Sequence, residues 1–249
     1  MSASSTTRPT EPDITTVNRQ FYDALWSKAQ LQRPDRFNTW PLVSELLPQA
    51  PARLEIGPGL RPRLPVLGTH FIDLSEPAVT ELNARGGIAA PGQIGALPFD
   101  DQRFDLVCAL DIIEHVEDDN QAFSEISRVV KDDGTVILSV PVHPDRWNAF
   151  DRWVGHFRRY DPSMLLSLLA AHGLELQRSA IYGMQPSNPK LLERGIWWLE
   201  HHRSWAMFWY NRVGLPLAMY FQKPLALVDG LPDMTNVEEI VMVCRRRPR

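Results

Sequence analysis

The sequence predicts an α/β chain in which short buried strands alternate with helices around a mostly parallel sheet. Three observations predict it. Leu54-Glu55-Ile56 runs straight into Gly57-Pro58-Gly59-Leu60, a strand passing into a glycine-bracketed turn. A second apolar run, His70 to Leu74, carries an acid, Asp73, at its end. Two further apolar runs, Phe104–Leu110 and Thr135–Pro141, flank a segment whose apolar residues keep the helical period.

In order, Met1 to Asp13 is rich in Ser, Thr and Pro and has no apolar core. It reads as a disordered leader and not a signal peptide. Ile14 to Leu31 reads as a helix, with Val17, Phe21, Leu25 and Trp26 at helical spacing and Tyr22 beside them. Phe37 to Leu47 is a second, short helix ending before Pro48, and Arg53 to Ile56 is the first strand. Gly57 and Gly59 permit unusual φ and let a ligand lie against the main chain. The crossover that follows holds Pro62 and Pro65, which oppose a regular helix, so a shortened or one-turn helix is expected. Asp73 stands where a carboxylate can accept both hydroxyls of a ribose.

Ser75 is the expected N-cap of the next helix, with Pro77 in its first turn and Ala78, Val79 and Leu82 toward the sheet. Residues 86–104 are irregular. The strand Phe104–Leu110 ends at Asp111 and leads to Glu114-His115-Val116. Asp118 or Asp119 caps the following helix, Lys131 suits its C-terminal end, and Asp133-Gly134 turns the chain into Thr135–Pro141. A polar and aromatic loop from His143 to Tyr160 precedes a helix from Asp161-Pro162 through Ala171, closed by Gly173. Leu174–Tyr182 and Glu239–Cys244 are the last strands. The segment 185–236 between them exceeds what simple alternation needs.

The 249 residues are 44% hydrophobic and 22% charged, enough for one sizeable core and a subdomain. A net charge of −4 disfavours a nucleic-acid partner. The basic tail Arg245-Arg246-Arg247-Pro248-Arg249 reads as a solvated end. Cys108 and Cys244 sit in apolar runs as buried thiols, with no disulfide framework, no metal-ligand spacing and a reducing, cytoplasmic setting.

Taken together, these pieces resemble the class I S-adenosylmethionine-dependent methyltransferases, most of all their small-molecule branch. The matching stretches are Leu54–Leu60, Phe71–Ser75, Ala96-Leu97-Pro98-Phe99, Phe104–Val107, Glu114-His115-Val116, Glu125–Val130 and Gly134–Pro141. Gly155-His156-Phe157-Arg158-Arg159-Tyr160 is seen in part of that branch. The resemblance implies a Rossmann-like, seven-stranded, mostly parallel sheet with helices on both faces and one antiparallel strand near the C-terminus. It implies a single domain over 14–249, with 185–236 an aromatic-rich helical insertion before the last strand.

It also implies S-adenosylmethionine as cofactor. Glu55, Gly57, Pro58 and Gly59 would line its methionine end, Asp73 would hold the ribose and Leu74 would contact adenine. Gln93 and Ile94 fall beside the adenine, Gln93 as an amide where the family often has a carboxylate. Leu110 and Asp111 would close the site near the sulfonium. A NAD-dependent dehydrogenase would need a third glycine where Pro62 stands, and gives Leu97-Pro98-Phe99 and Glu114-His115-Val116 no role.

Candidate catalytic groups are His115, after the fourth strand, and His156 with Asp151 to fix its tautomer. The alternatives are a packing histidine at a helix start and a structural network with Arg158 or Arg159. Tyr160 and Tyr22 read as core or as substrate wall. The segment 185–236 holds Trp197, Trp198, Trp205 and Trp209, half of the 8 tryptophans. It reads as a lid over a small apolar or aromatic acceptor, as a homodimer or packing surface, or as a peripheral membrane contact with Arg203, Arg212 and Lys223 toward phosphates. Its apolar runs are too short to span a bilayer. A non-catalytic, cofactor-binding scaffold with the same fold is the alternative from another class.

Overall fold

The computed structural model describes residues 26, 29–183, 194–195, 197–198, 201–202, 205 and 208–248. The expected leader, and all of the expected first helix except Trp26 and residues 29–31, lie outside them, as does much of the 185–236 segment.

The strands are β1 (Arg53–Ile56), β2 (Thr69–Asp73), β3 (Ile88–Pro91), β4 (Phe104–Leu110), β5 (Val130–Pro141), β6 (Leu174–Tyr182), β7 (Val228–Asp229) and β8 (Glu239–Arg246). They form one sheet in the order β3-β2-β1-β4-β5-β8-β6-β7. The first five are mutually parallel. β8 inserts antiparallel between β5 and β6. The sheet therefore has eight strands, not the expected seven; the addition is the two-residue edge strand β7, paired to β6.

Among the described residues, the α-helices with defined bounds are α1 (Trp40–Leu46), α2 (Glu76–Ala84), α3 (Asp119–Val129), α4 (Ala149–Val154), α5 (Pro162–Ala171) and α6 (Leu215–Tyr220). Past a bulge between Phe104 and Leu106, side chains of β4 alternate between two cores. Phe104, Val107 and Ala109 join Phe123 and Ile126 of α3 and Leu165 and Leu169 of α5 on one face. Leu106 and Cys108 join Leu42 and Val43 of α1 on the other. Period-2 burial on a sheet covered from both sides is what a doubly wound fold requires.

Five local expectations change: residues 86–104, read as irregular, hold β3, the loop from His143 to Tyr160 holds α4, and three more concern a crossover, a cap and a turn. No helix forms between β1 and β2. Pro62 and Pro65 lack the N–H groups a helix would use, and the Glu55 carboxylate instead accepts the N–H of Arg63 (2.8 Å) and of Leu64 (2.9 Å). Ser75 occupies the N-cap position of α2, but its side chain makes no capping bond. Asp133-Gly134 is not a turn before β5. It lies inside the strand, where the register slips from Phe104↔Val130 to Leu106↔Thr135 and Asp133 takes φ 59°. Other expectations hold. Asp118 caps α3 by accepting the Gln121 N–H at 2.9 Å, Gly173 follows α5 with φ 69°, and Cys108 and Cys244 are buried free thiols.

The fold also explains why Leu97-Pro98-Phe99 and the α3 sequence occur together. The Arg128 guanidinium donates to the carbonyls of Leu97 (2.9 Å) and Phe99 (2.6 Å) and pairs with Glu125 (2.7 Å) and Asp101 (2.9 Å). Glu125 in turn accepts the Leu97 N–H at 2.7 Å. The loop before β4 is thus pinned to α3 through one arginine. Arg128→Met should cost about 2 to 3 kcal/mol, the scale of losing charge-assisted bonds to partly buried partners. Urea unfolding checks this, and a change below about 0.5 kcal/mol would mean the clamp is incidental.

Candidate active site

β1 lies between β2 and β4, so the connections after β1 and after β4 run in opposite directions and a crevice opens at the C-terminal ends of the two strands. A cavity of about 490 Å³ occupies it, within the ordinary range for a small-molecule site. Its wall includes Glu55, Gly57, Pro58, Asp73, Leu74, Gln93, Ile94, Leu110 and Asp111. All the residues expected beside the cofactor are therefore on the wall except Gly59.

Gly59 acts from behind it. Its N–H donates to Asp73 Oδ2 at 2.7 Å, while Asp73 Oδ1 accepts the Ser75 N–H at 2.8 Å. One carboxylate thus ties the glycine turn to the start of α2. Both glycines adopt positive φ, 65° at Gly57 and 54° at Gly59. A Cβ on Gly57 would stand 2.2 Å from Ile112, and one on Gly59 would stand 2.3 Å from the Trp26 indole. Close approach here is made by the protein's own side chains.

Sequence reasoning missed Trp26, Arg61 and Ile112 as wall residues. Trp26 was legible as apolar helix spacing; nothing in that spacing pointed to the indole packing on Gly59 or to Arg61 stacking over it at 5.1 Å.

The Glu55 carboxyl is pushed up from 4.5 to about 7, chiefly by burial, against the pull of the Arg63 and Leu64 N–H groups. Asp111 has φ 55° and its N–H donates to Ser139 Oγ at 2.9 Å. Burial, followed by the Asp111 charge, pushes the carboxyls of Glu114 and Glu239 up.

Of the candidate catalytic groups, His115 is on the cavity wall, whereas His156 and Asp151 stand behind it. The fold brings them together. The Phe157 N–H donates to the Glu114 carbonyl at 2.7 Å, which lays the loop after α4 against Glu114-His115. The His115 and His156 rings meet edge-on, 4.6 Å between centroids. His156 Nδ1 lies 2.9 Å from Asp151 Oδ1. Asp151 is fully buried, pairs with Arg159 Nε at 2.9 Å and accepts the Asn148 N–H at 2.8 Å. Arg159 continues to Glu238 at 2.8 Å. Arg158 binds Asp119 at 2.8 Å, and the Tyr160 hydroxyl donates to the same carboxylate at 3.1 Å. Burial, then His156, lower the His115 imidazole to about 3. It stays neutral at physiological pH and is mismatched as a general base there. Tyr22 lies outside the described residues.

The fold and the cavity place the chain among known proteins. A family model described as a methyltransferase domain matches residues 54–138, from β1 into β5. The sheet order and this match give the chain the fold of S-adenosylmethionine-dependent methyltransferases. Solved structures share this fold at low identity. A S-adenosylmethionine-dependent methyltransferase of Thermotoga maritima is 15% identical, with a TM-score of 0.57 over 94% of this chain and 96% of that one. The [4+2]-cyclase SpnF is 18% identical, with a TM-score of 0.58 over 97% and 98%. A geranyl diphosphate methyltransferase, solved with its diphosphate and sinefungin, is 15% identical, with a TM-score of 0.52 over 82% and 76%.

The cavity suits S-adenosylmethionine: a carboxylate, Asp73, stands on its wall beside a glycine turn.

Because the folded Glu55 carboxyl lies near 7 and its unfolded value near 4.5, the folded state holds the extra proton between them. Stability of the cofactor-free protein should be fully present below about 4.5, fall as pH rises toward about 7, and level off above. Urea unfolding across this range should show the slope flattened in Glu55→Gln; an unchanged slope would show that Glu55 is not its source.

Proposed function

We propose that the chain moves a methyl group to a small, apolar or aromatic acceptor by in-line displacement. The observation that carries this reading is that one cavity wall runs from Asp73 and the glycine turn to Asp111 and His115. A donor and an acceptor would then share one space. The bound cofactor supplies a methyl carbon made electrophilic by its sulfonium. The chain's residues must hold the acceptor atom in line, roughly 3 to 3.5 Å from it.

In this reading Asp73 binds the ribose, Glu55, Gly57, Pro58 and Gly59 bound the methionine end, and Leu74, Gln93 and Ile94 flank adenine. Leu110 and Asp111 face the reacting centre. His115 and His156 stand at the acceptor end, with Asp151 as the positioning residue that fixes the His156 ring.

The aromatic segment supports an apolar or aromatic acceptor. Trp197, Trp205, Phe208 and Trp209 are exposed, and Trp205 meets Trp198 and Trp209 edge-on at 4.9 and 5.8 Å between centroids. Exposed aromatic surface of this kind suits apolar partners. We take residues 14–249 as one domain, with 185–236 as a lid or interaction insertion. Among the described residues no helix is long and apolar enough to cross a membrane.

Transfer of isotopically labelled methyl from S-adenosylmethionine into a cell extract, followed by partition, tests the reading. Label should enter the organic-soluble fraction. Label confined to macromolecules would overturn a small acceptor, and label confined to the aqueous fraction would overturn an apolar one.

A further inference from the structure

The structure brings Glu114, His115 and His156 within 4.8 Å of one another, counted between one donor atom from each. No spacing in the sequence shows this, because His156 comes from the loop after α4. We propose that these three side chains form a divalent-metal site at the acceptor end of the cavity. The proposal rests on the reading of the cavity as a methyl-transfer site, and names what its acceptor end binds.

Four observations carry it. First, Glu114 is 2% exposed, and its Oε2 has no hydrogen-bond partner. A buried carboxylate oxygen left so costs free energy unless something pairs with it. Secondly, the other Glu114 oxygen, Oε1, already stands 3.8 Å from His156 Nε2.

Thirdly, each imidazole has one edge tied down from behind. His156 Nδ1 is held by Asp151 at 2.9 Å. His115 is held by a hydrogen bond to the Gly155 backbone. A ring nitrogen that donates to a carboxylate or carbonyl leaves the other as an acceptor, the arrangement that orients metal-binding histidines. Asp151 is itself locked by Arg159 and by the Asn148 N–H, so the His156 ring is held by a rigid partner.

Fourthly, the donor set has two imidazole nitrogens and one carboxylate oxygen. Such a set suits a borderline divalent ion such as Zn²⁺ or Co²⁺ better than Mg²⁺, which prefers oxygen ligands. Bonds of about 2.1 Å in a tetrahedral site put ligand atoms about 3.4 Å apart. The three side chains would need only to draw in. Three protein ligands leave a position open, and His115 on the cavity wall places that position beside the space assigned to the acceptor. An acceptor oxygen, such as a phenol or an enol, would be the matching ligand.

The test is equilibrium dialysis of Co²⁺ against the full chain without a histidine tag, read by metal content and by the visible spectrum of the bound ion. The wild type should hold one equivalent, displaceable by Zn²⁺. Glu114→Gln and His156→Asn should each weaken binding at least tenfold. Calorimetry with S-adenosylmethionine on the same samples shows whether each variant is folded. It also separates the two claims: cofactor binding without stoichiometric Co²⁺ in the wild type overturns the metal site alone, whereas no cofactor binding overturns the methyl-transfer reading beneath it. Co²⁺ binding that survives in both folded variants would also overturn the site.

Discussion

The Asp73 carboxylate is the point on which the cavity depends. It closes β2, accepts the N–H of Gly59 on one oxygen and the N–H of Ser75 on the other. The loop after β1 and the start of α2 are therefore held by one buried charge. Backbone N–H groups aimed at a carboxylate are among the stronger neutral–ionic contacts a protein makes. The glycine turn depends on it in turn. With Gly57 and Gly59 at positive φ, Ile112 and Trp26 come close enough to wall the space.

A second buried acid, Glu55, does for the crossover what a helix would otherwise do. Prolines at 62 and 65 remove donors of a regular helix, and the carboxylate collects the two N–H groups between them. β1 and β2 then pair across a connection without helical structure. Arg128 plays the corresponding part on the far side, where it holds the loop before β4 onto α3. Three charged side chains thus fix the three loops around the cavity, while the strands are held by apolar burial on both faces.

That division explains what was legible in the sequence. Strand positions and their order follow from period and burial, so β1, β2, β4, β6 and β8 lie where apolar runs put them. The residues at strand ends, Glu55, Asp73, Leu110 and Asp111, were legible because the resemblance points to them and strand ends come to one edge of a parallel sheet. The meeting of Glu114 with His156 was not. Glu114 and His156 meet through a backbone bond between Glu114 and Phe157, a long-range contact that no local pattern encodes. The edge strand β7, two residues long, carries too little periodicity to be seen. Asp133-Gly134 read as a turn because its chemistry is that of a turn; the neighbouring ladder makes it a bulge.

The central claim is that the space between the ends of β1, β2 and β4 receives S-adenosylmethionine. Amide hydrogen exchange with and without the cofactor tests it most directly. The account predicts added protection confined to residues 57–60, 72–75 and 93–95, the segments of the glycine turn, the Asp73 loop and the Gln93 loop. Unchanged exchange there at saturating cofactor, or protection elsewhere on the chain, would contradict it.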